Sequence, residues 1–93
     1  MVTITIQIGN TDDKLSQSEW ADYVSEVREI VTRHSNVVYF FGASANWERW
    51  QNAAWVIEFD RRRIRMLKTL LLRTRKRFSQ DSVAWSEGET QFI

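Results

Sequence analysis

The sequence has no cysteine, no proline, one histidine and three glycines in 93 residues. Without cysteine the chain cannot form a disulfide or a thiolate metal site, and such a composition suits a reducing cytosol. With a single histidine, a metal ion would have to be held by carboxylates. The acidic pairs Asp12–Asp13 and Glu87–Glu89 are weak candidates, because loop carboxylates are usually just solvated. We therefore predict neither a cofactor nor a metal site.

The sequence also lacks the patterns of targeting, membrane insertion and common catalytic sites. Its first ten residues alternate without the basic region of a signal peptide, and no apolar run is long enough to span a bilayer. It contains no nucleophile elbow, P-loop or dinucleotide-binding fingerprint. His34 lies where a helix is predicted to end, a position that the helix dipole favours for a cation. These absences predict a cytoplasmic protein that is not an enzyme and makes no membrane contact.

What the chain does contain is a large apolar fraction. Hydrophobic residues make up 43% of it, with five Trp and five Phe. That is too apolar for a disordered tail, and the length suits one domain. No low-complexity linker interrupts the sequence, so we predict a single domain over residues 1–93.

Hydrophobic periodicity divides the chain into six elements. Residues 2–8 alternate between β-branched and polar side chains, which is typical of a strand with one buried face. Ser16 and Glu19 match a capping box that begins an amphipathic helix over about 16–34. The remaining elements are strands at 36–44 and 53–60, a helix at about 61–79, and a C-terminal strand kinked at Gly88 or a small hairpin within 82–93.

The order β-α-β-β-α-β favours one architecture. It predicts a ferredoxin-like α+β sandwich, in which an antiparallel sheet carries both helices on one face. A related arrangement with a different strand order is the alternative.

The second helix concentrates the positive charge. Residues 61–80 hold nine of the thirteen Lys and Arg residues and no acid, although the whole chain carries only +1. Three arginines occupy its first turn, where the helix dipole prefers acids. On a helical wheel Leu72 lies within the charged face and Met66 at its edge, without an evident folding purpose. Residues that are unfavourable for the helix itself and bring no visible benefit to the fold indicate a binding partner.

Three interpretations of the basic helix 61–77 remain open. In the first, the acidic flank of the preceding helix neutralises it, through exposed pairs worth about 0.2–1 kcal/mol each. In the second, it binds nucleic acid. The phosphate-binding residues would then be Arg62, Arg65, Lys68, Arg73 and Lys76. In the third, Met66 and Leu72 anchor a protein partner with an acidic surface, which includes a second copy of this chain.

The loop "NWERWQN" holds Trp47 and Trp50 among polar residues. Trp and Arg are enriched at binding hot spots, so this loop is a second candidate for protein contact. The alternative is that one or both tryptophans fold over the open face of the sheet. Trp20, Trp55 and Trp85 are predicted to lie in the core.

The segments "TITIQIGNTDDKLSQSEWADYV", "WQNAAWVIEF" and "QDSVAWSEGETQFI" together resemble small uncharacterised proteins of actinobacteria and their phages. The resemblance covers most of the chain and implies no site residues, because no activity is attached to such proteins. It implies a phage-type protein that acts in the host cytoplasm by binding and blocking a host protein. Our first expectation is therefore a non-catalytic protein-binding homodimer, and nucleic-acid binding is the alternative.

Overall fold

The computed structural model describes residues 1–10, 13–45, 48 and 50–93. Within them the chain forms four strands and two α-helices in the predicted order. The strands are β1 (Val2–Gly9), β2 (Val37–Ala43), β3 (Asn52–Phe59) and β4 (Ala84–Gly88), and the helices are α1 (Gln17–His34) and α2 (Ile64–Arg77).

The four strands form one antiparallel sheet in the order β2-β3-β1-β4. The central strands are β1 and β3, and β2 and β4 are the edges. Both helices pack on the same face. The predicted ferredoxin-like α+β fold is confirmed.

The alternation in β1 selects the face that is buried. Ile4 and Ile6 have no exposed surface, and Trp55, which pairs with Ile6, has none either. The helices cover this face with Trp20, Tyr23, Val27 and Val31 of α1 and with Leu67, Leu71 and Thr74 of α2. Burying one large apolar side chain contributes about 1.5–3 kcal/mol, so this layer supplies most of the stability of the fold.

The capping box predicted for α1 is present. Ser16 Oγ accepts a hydrogen bond from the backbone N–H of Glu19 at 3.2 Å, and the Ser16 N–H donates to Glu19 Oε1 at 3.0 Å. The bond from the Ser16 backbone holds the pKa of Glu19 below its ordinary value. Leu15, just before the cap, is buried, as a hydrophobic staple requires.

The loop before α1 is closed by side-chain amides. Asn10 is buried, and it both accepts from the Leu15 N–H and donates to the Leu15 carbonyl, each at 3.0 Å. The amides of Gln17 and Gln51 pair with each other at 3.0 and 3.2 Å. These contacts give Asn10, Leu15 and Gln17 a role in the fold.

The second helix begins later than predicted. Arg61–Arg63 form a 3₁₀ turn, and α2 follows from Ile64. Asp60 caps the turn through Oδ1, which accepts from the Arg62 N–H at 3.0 Å. Arg63, at the start of α2 itself, makes no side-chain cap. Three cations at the positive end of the helix dipole explain why regular α-helix does not begin there.

Candidate protein-binding surfaces

The face of the sheet opposite the helices has no helix over it in the described part of the chain. One row across it pairs Phe40 of β2, Val56 of β3 and Thr5 of β1. The next row pairs Gly42, Ala54 and Gln7. We call this surface the open face, and its strand residues are Thr3, Thr5, Gln7, Gly9, Val37, Tyr39, Phe40, Gly42, Asn52, Ala54, Val56, Glu58, Ala84, Ser86 and Gly88.

A bulge in β2 places two neighbouring aromatic side chains on the open face. Val38 pairs with Ile57 on the helix side, Phe40 pairs with Val56, and Tyr39 is the extra residue between them. The Tyr39 hydroxyl donates to Glu58 Oε2 at 3.3 Å, which places it on the open side as well. A bulge re-aims a side chain in this way, and it leaves 55% of Phe40 and 42% of Tyr39 exposed.

The Phe40 ring lies across Gly42. A Cβ atom added at Gly42 would lie 2.5 Å from Cζ of Phe40. Only glycine leaves room for the ring to lie against the strand. The pair therefore gives the open face a flat aromatic surface.

The C-terminal segment 89–93 reaches over one end of the open face. The hydroxyls of Thr90 and Thr3 are hydrogen-bonded, and the Phe92 ring centre lies 6.3 Å from that of Tyr39. Partial burial raises the pKa of Tyr39, and the neighbouring Glu58 carboxylate raises it further. Phe92 itself stays 82% exposed, so this segment adds apolar surface to the open face.

The residues predicted to bind protein do not form one site. Leu72 is 42% exposed and Trp50 is 57% exposed, but they lie on different elements. Met66 is half-buried and packs against the core, which leaves less of it available to a partner than the sequence suggests. Trp47 lies outside the described residues. The role of all four in binding stays a prediction.

Most of the positive charge of α2 is not neutralised by α1. Of the acidic flank of α1, Glu26 pairs with Arg77, while Glu29 pairs with Arg33 of its own helix at 2.8 Å. Asp60 binds Arg62 at 3.0 Å, and these hydrogen bonds hold the pKa of Asp60 below its ordinary value. The self-neutralisation considered from the sequence therefore has one cross-helix pair in the described part of the chain.

The cations predicted to bind phosphate have different surroundings. Arg62 is paired with Asp60, and Lys68 Nζ lies 4.9 Å from the ring centre of Trp85. Arg65, Arg73 and Lys76 are exposed and form no ion pair within the described residues. The five residues therefore differ in how much of their charge is free, and their role in phosphate binding stays a prediction.

The described residues hold no group of three or more His, Asp or Glu side chains placed to bind a metal ion. Asp12 lies outside them. Glu87 accepts a hydrogen bond from Trp85 Nε1 at 2.9 Å, and the His34 ring contacts Arg63 at 3.3 Å. No described helix is long and apolar enough to cross a bilayer.

Sequence reasoning missed Tyr39 and Phe40. The segment "VVYFF" was predicted as a strand without a face, because five consecutive apolar residues carry no alternation. The available signal was the apolar run itself. A strand with apolar side chains on both faces must expose some of them, because the helices cover only one face of the sheet. Phe92 has no such signal, because a strand or hairpin predicted within 82–93 does not specify which face of the sheet Phe92 reaches.

No protein-family model and no curated protein matches the sequence. Among solved structures, the de novo designed protein Foldit4 is similar with a TM-score of 0.61 and 18% identity, over 97% of this chain and 96% of that one. A dimeric ferredoxin-like protein from an uncultured marine organism is similar with a TM-score of 0.52 and 8% identity, over 99% and 90%. At these identities the likeness shows the fold alone.

Proposed function

We propose that this chain is a non-catalytic protein-binding domain that self-associates through its open face. The observation that carries the proposal is the exposed aromatic pair on that face. Phe40 is 55% exposed. It lies within β2 (Val37–Ala43), so its backbone is held in place by the sheet. An exposed apolar patch on an ordered surface marks an interaction site.

The distribution of charge supports the same surface. The four strands contain no Lys or Arg, and their two acidic residues are Glu58 and Glu87. Glu87 pairs with Ile4 on the helix side, while Glu58 is on the open face and accepts a hydrogen bond from Tyr39. Interface centres are depleted in charged residues in this way.

A second copy of the chain is the partner that suits this face. Two copies related by a two-fold axis bring the same patch together, and a nearly uncharged patch does so without repulsion between like charges. The marine ferredoxin-like protein of similar fold is described as dimeric, which adds weak support. Phe92, which is 82% exposed and lies near Tyr39, extends the apolar surface beside the patch.

The size of the face predicts a weak dimer. Strands about 4.8 Å apart, with about six residues each at about 3.3 Å per residue, give four strands a footprint of roughly 400 Å². Stable interfaces bury about 800 Å² of accessible surface on each partner. The face therefore lies at the small end of specific interfaces, where complexes are weak and transient, and we expect dimerisation in the micromolar range, on the order of 1–100 µM.

Sedimentation velocity from about 1 to 300 µM tests the proposal. We expect the wild type to shift from monomer to dimer across this range. Phe40→Glu should weaken dimerisation at least about tenfold, because it introduces a charge at the centre of the interface. Leu72→Glu is the matched control: it also replaces an exposed apolar side chain, but on the opposite side of the molecule. A wild type that stays monomeric throughout, or a dimer that Phe40→Glu leaves intact, would contradict the proposal.

Nucleic-acid binding remains the second hypothesis because Arg65, Arg73 and Lys76 are exposed and form no ion pair with any residue that the structure describes. Phosphate contacts would make affinity for DNA or RNA fall steeply between about 50 and 200 mM salt. Fluorescence anisotropy of a labelled oligonucleotide with the wild type and with Arg73→Glu/Lys76→Glu measures that dependence. Oligonucleotide binding that persists in the double variant would show that Arg73 and Lys76 are not the phosphate-binding residues.

A further inference from the structure

A groove runs between α2 and the edge strand β4, on the helix side of the sheet. Its volume is about 190 Å³. The groove is open because, among the described residues, no strand pairs with the outer side of β4. We call it the Leu72 groove, and it is lined by Lys68, Leu71, Leu72, Arg75, Val83 and Trp85.

The inside of the Leu72 groove is apolar. Leu71 is buried, and Val83 and Trp85 are half-buried and pack against the core. Leu72 remains 42% exposed beside them. Helix residues that face water are normally polar, so the exposed Leu72 next to the half-buried Trp85 is an apolar surface that the fold leaves uncovered.

Two cations are held at the rim of this groove. Lys68 Nζ lies 4.9 Å from the Trp85 ring centre. Arg75 Nη1 donates to the carbonyl oxygens of Gln80 at 2.8 Å and Asp81 at 2.9 Å. Neither cation is paired with a carboxylate in the described part of the chain, so both keep their charge available at fixed positions.

Further cations continue the rim along the helix. Arg65 and Lys76 lie seven positions before and four positions after Leu72, and side chains at such spacing share one side of a helix. Two acids lie nearby: Glu87 accepts a hydrogen bond from Trp85 Nε1 at 2.9 Å, and Asp81, whose carbonyl oxygen accepts from Arg75, is ion-paired with Lys14 at 3.0 Å. The cations Arg65, Lys68, Arg75 and Lys76 therefore outnumber these two acids around Leu72.

We infer that the Leu72 groove binds an acidic segment of a partner protein, with one large apolar side chain of that segment inserted beside Leu72 and Trp85. Sites for small-molecule ligands are usually about 300–1,000 Å³, so this groove suits a single side chain. Acidic residues on both sides of that anchor match the cationic rim. Phosphate binding would use the cations but would leave the apolar floor without a function.

The inference does not depend on dimerisation. The Leu72 groove and the open face lie on opposite sides of the sheet, so a dimer formed through the open face leaves the groove accessible. Sedimentation of Phe40→Glu reports on the open face, and peptide binding by Leu72 variants reports on the groove. A failure of the dimerisation proposal is therefore distinguishable from a failure of the inference about the groove.

The first experiment is selection from a random 12-residue peptide display library on the full chain at about 150 mM salt, with counter-selection on Leu72→Lys. We expect enriched peptides to carry one Phe, Trp, Leu or Ile flanked by Asp or Glu. Absence of enrichment over the Leu72→Lys variant, or enrichment of sequences without acids or without an apolar anchor, would overturn the inference.

The second experiment measures the affinity of the most enriched peptide by fluorescence anisotropy. Leu72→Lys in the protein, and Ala at the apolar anchor of the peptide, should each weaken binding at least about tenfold, as for an interface hot spot. Replacing the acidic residues of the peptide by their amides should weaken it and reduce its salt dependence. Phe40→Glu is the control that should leave the affinity unchanged.

A labelled 20-nucleotide DNA and an RNA of the same length distinguish the other class of partner. Tight oligonucleotide binding at about 150 mM salt that is unaffected by Leu72→Lys but lost in Arg73→Glu/Lys76→Glu would assign the cations to phosphate and overturn the inference. Peptide binding that does not change in Leu72→Lys would overturn it equally.

Discussion

The two faces of this sheet are formed by the same four strands but differ in burial. On the helix-covered face, Ile4, Ile6 and Trp55 have no exposed surface. On the open face, neighbouring positions of the same strands carry Thr3, Thr5 and the 55% exposed Phe40. A side chain on the first face is surrounded by its own chain, whereas one on the second can still gain contacts from another molecule. The comparison separates the residues that stabilise the fold from those available for association.

The largest expected difference is in stability. Ile6→Ala should lower the free energy of unfolding by about 2–5 kcal/mol, because it leaves a cavity under both helices. Thr5→Ala, the next residue on the same strand, should cost less than about 1 kcal/mol. Urea denaturation at low micromolar protein measures both with little contribution from dimerisation. Equal costs would mean that the open face is covered in the folded monomer.

The second prediction concerns Gly42 on the open face. Gly42→Ala should leave the fold as stable or more stable by up to about 1 kcal/mol, because alanine loses less backbone entropy on folding. The new Cβ would displace the Phe40 ring, whose Cζ lies 2.5 Å from that position. We expect dimerisation measured by sedimentation to weaken several-fold, on the order of 1 kcal/mol.

A double-mutant cycle isolates this effect. In a Phe40→Ala background, Gly42→Ala should no longer change the dimer dissociation constant, because the ring it displaces is absent. An equal effect in both backgrounds would show that Gly42 acts through the backbone rather than through Phe40.

The smallest effect at neutral pH is expected for Tyr23, the tyrosine of the covered face. Its hydroxyl is buried and has no hydrogen-bond partner in the described part of the chain. Tyr23→Phe should therefore change stability at pH 8 by no more than about 1 kcal/mol, in the stabilising direction, because an unsatisfied polar group leaves the core.

The pH dependence of the same variant sharpens the comparison between the faces. Burial raises the pKa of Tyr23 to about 12 from the ordinary 10.0, against a smaller opposing effect of the Arg75 charge. Because the pKa is higher in the folded state, the unfolded state loses the Tyr23 proton first as the pH rises. The contribution of Tyr23 to the free energy of unfolding is therefore complete below pH 10 and is lost between pH 10 and 12. Stability measured from pH 8 to 11.5 should fall less in Tyr23→Phe than in the wild type. Tyr39→Phe, on the open face, is the control, and a larger effect there would contradict the assignment.

Much of the fold was predictable because its signals are local. The alternation of β1, the capping box of Ser16 and Glu19 and the spacing of apolar residues in α1 each depend on neighbours within a turn or a few strand residues. The start of α2 was less predictable, because the 3₁₀ turn results from competition between the Asp60 cap and three arginines at the helix dipole. The candidate surfaces were predicted only in part: Leu72 is exposed as expected, Met66 packs against the core, and the aromatic pair of β2 was not foreseen.

The sequence by itself determined the order of the helices and strands, which face of β1 and β3 is buried, and that one helix carries most of the positive charge. These follow from periodicity and composition, which are properties of adjacent residues. Only the tertiary structure decided that the bulge at Tyr39 turns Phe40 outward, that Phe92 reaches the open face, and that Leu72 lies beside Trp85. Those placements depend on strand register and on contacts between segments far apart in the chain, and an unbroken apolar run such as "VVYFF" does not specify its own register.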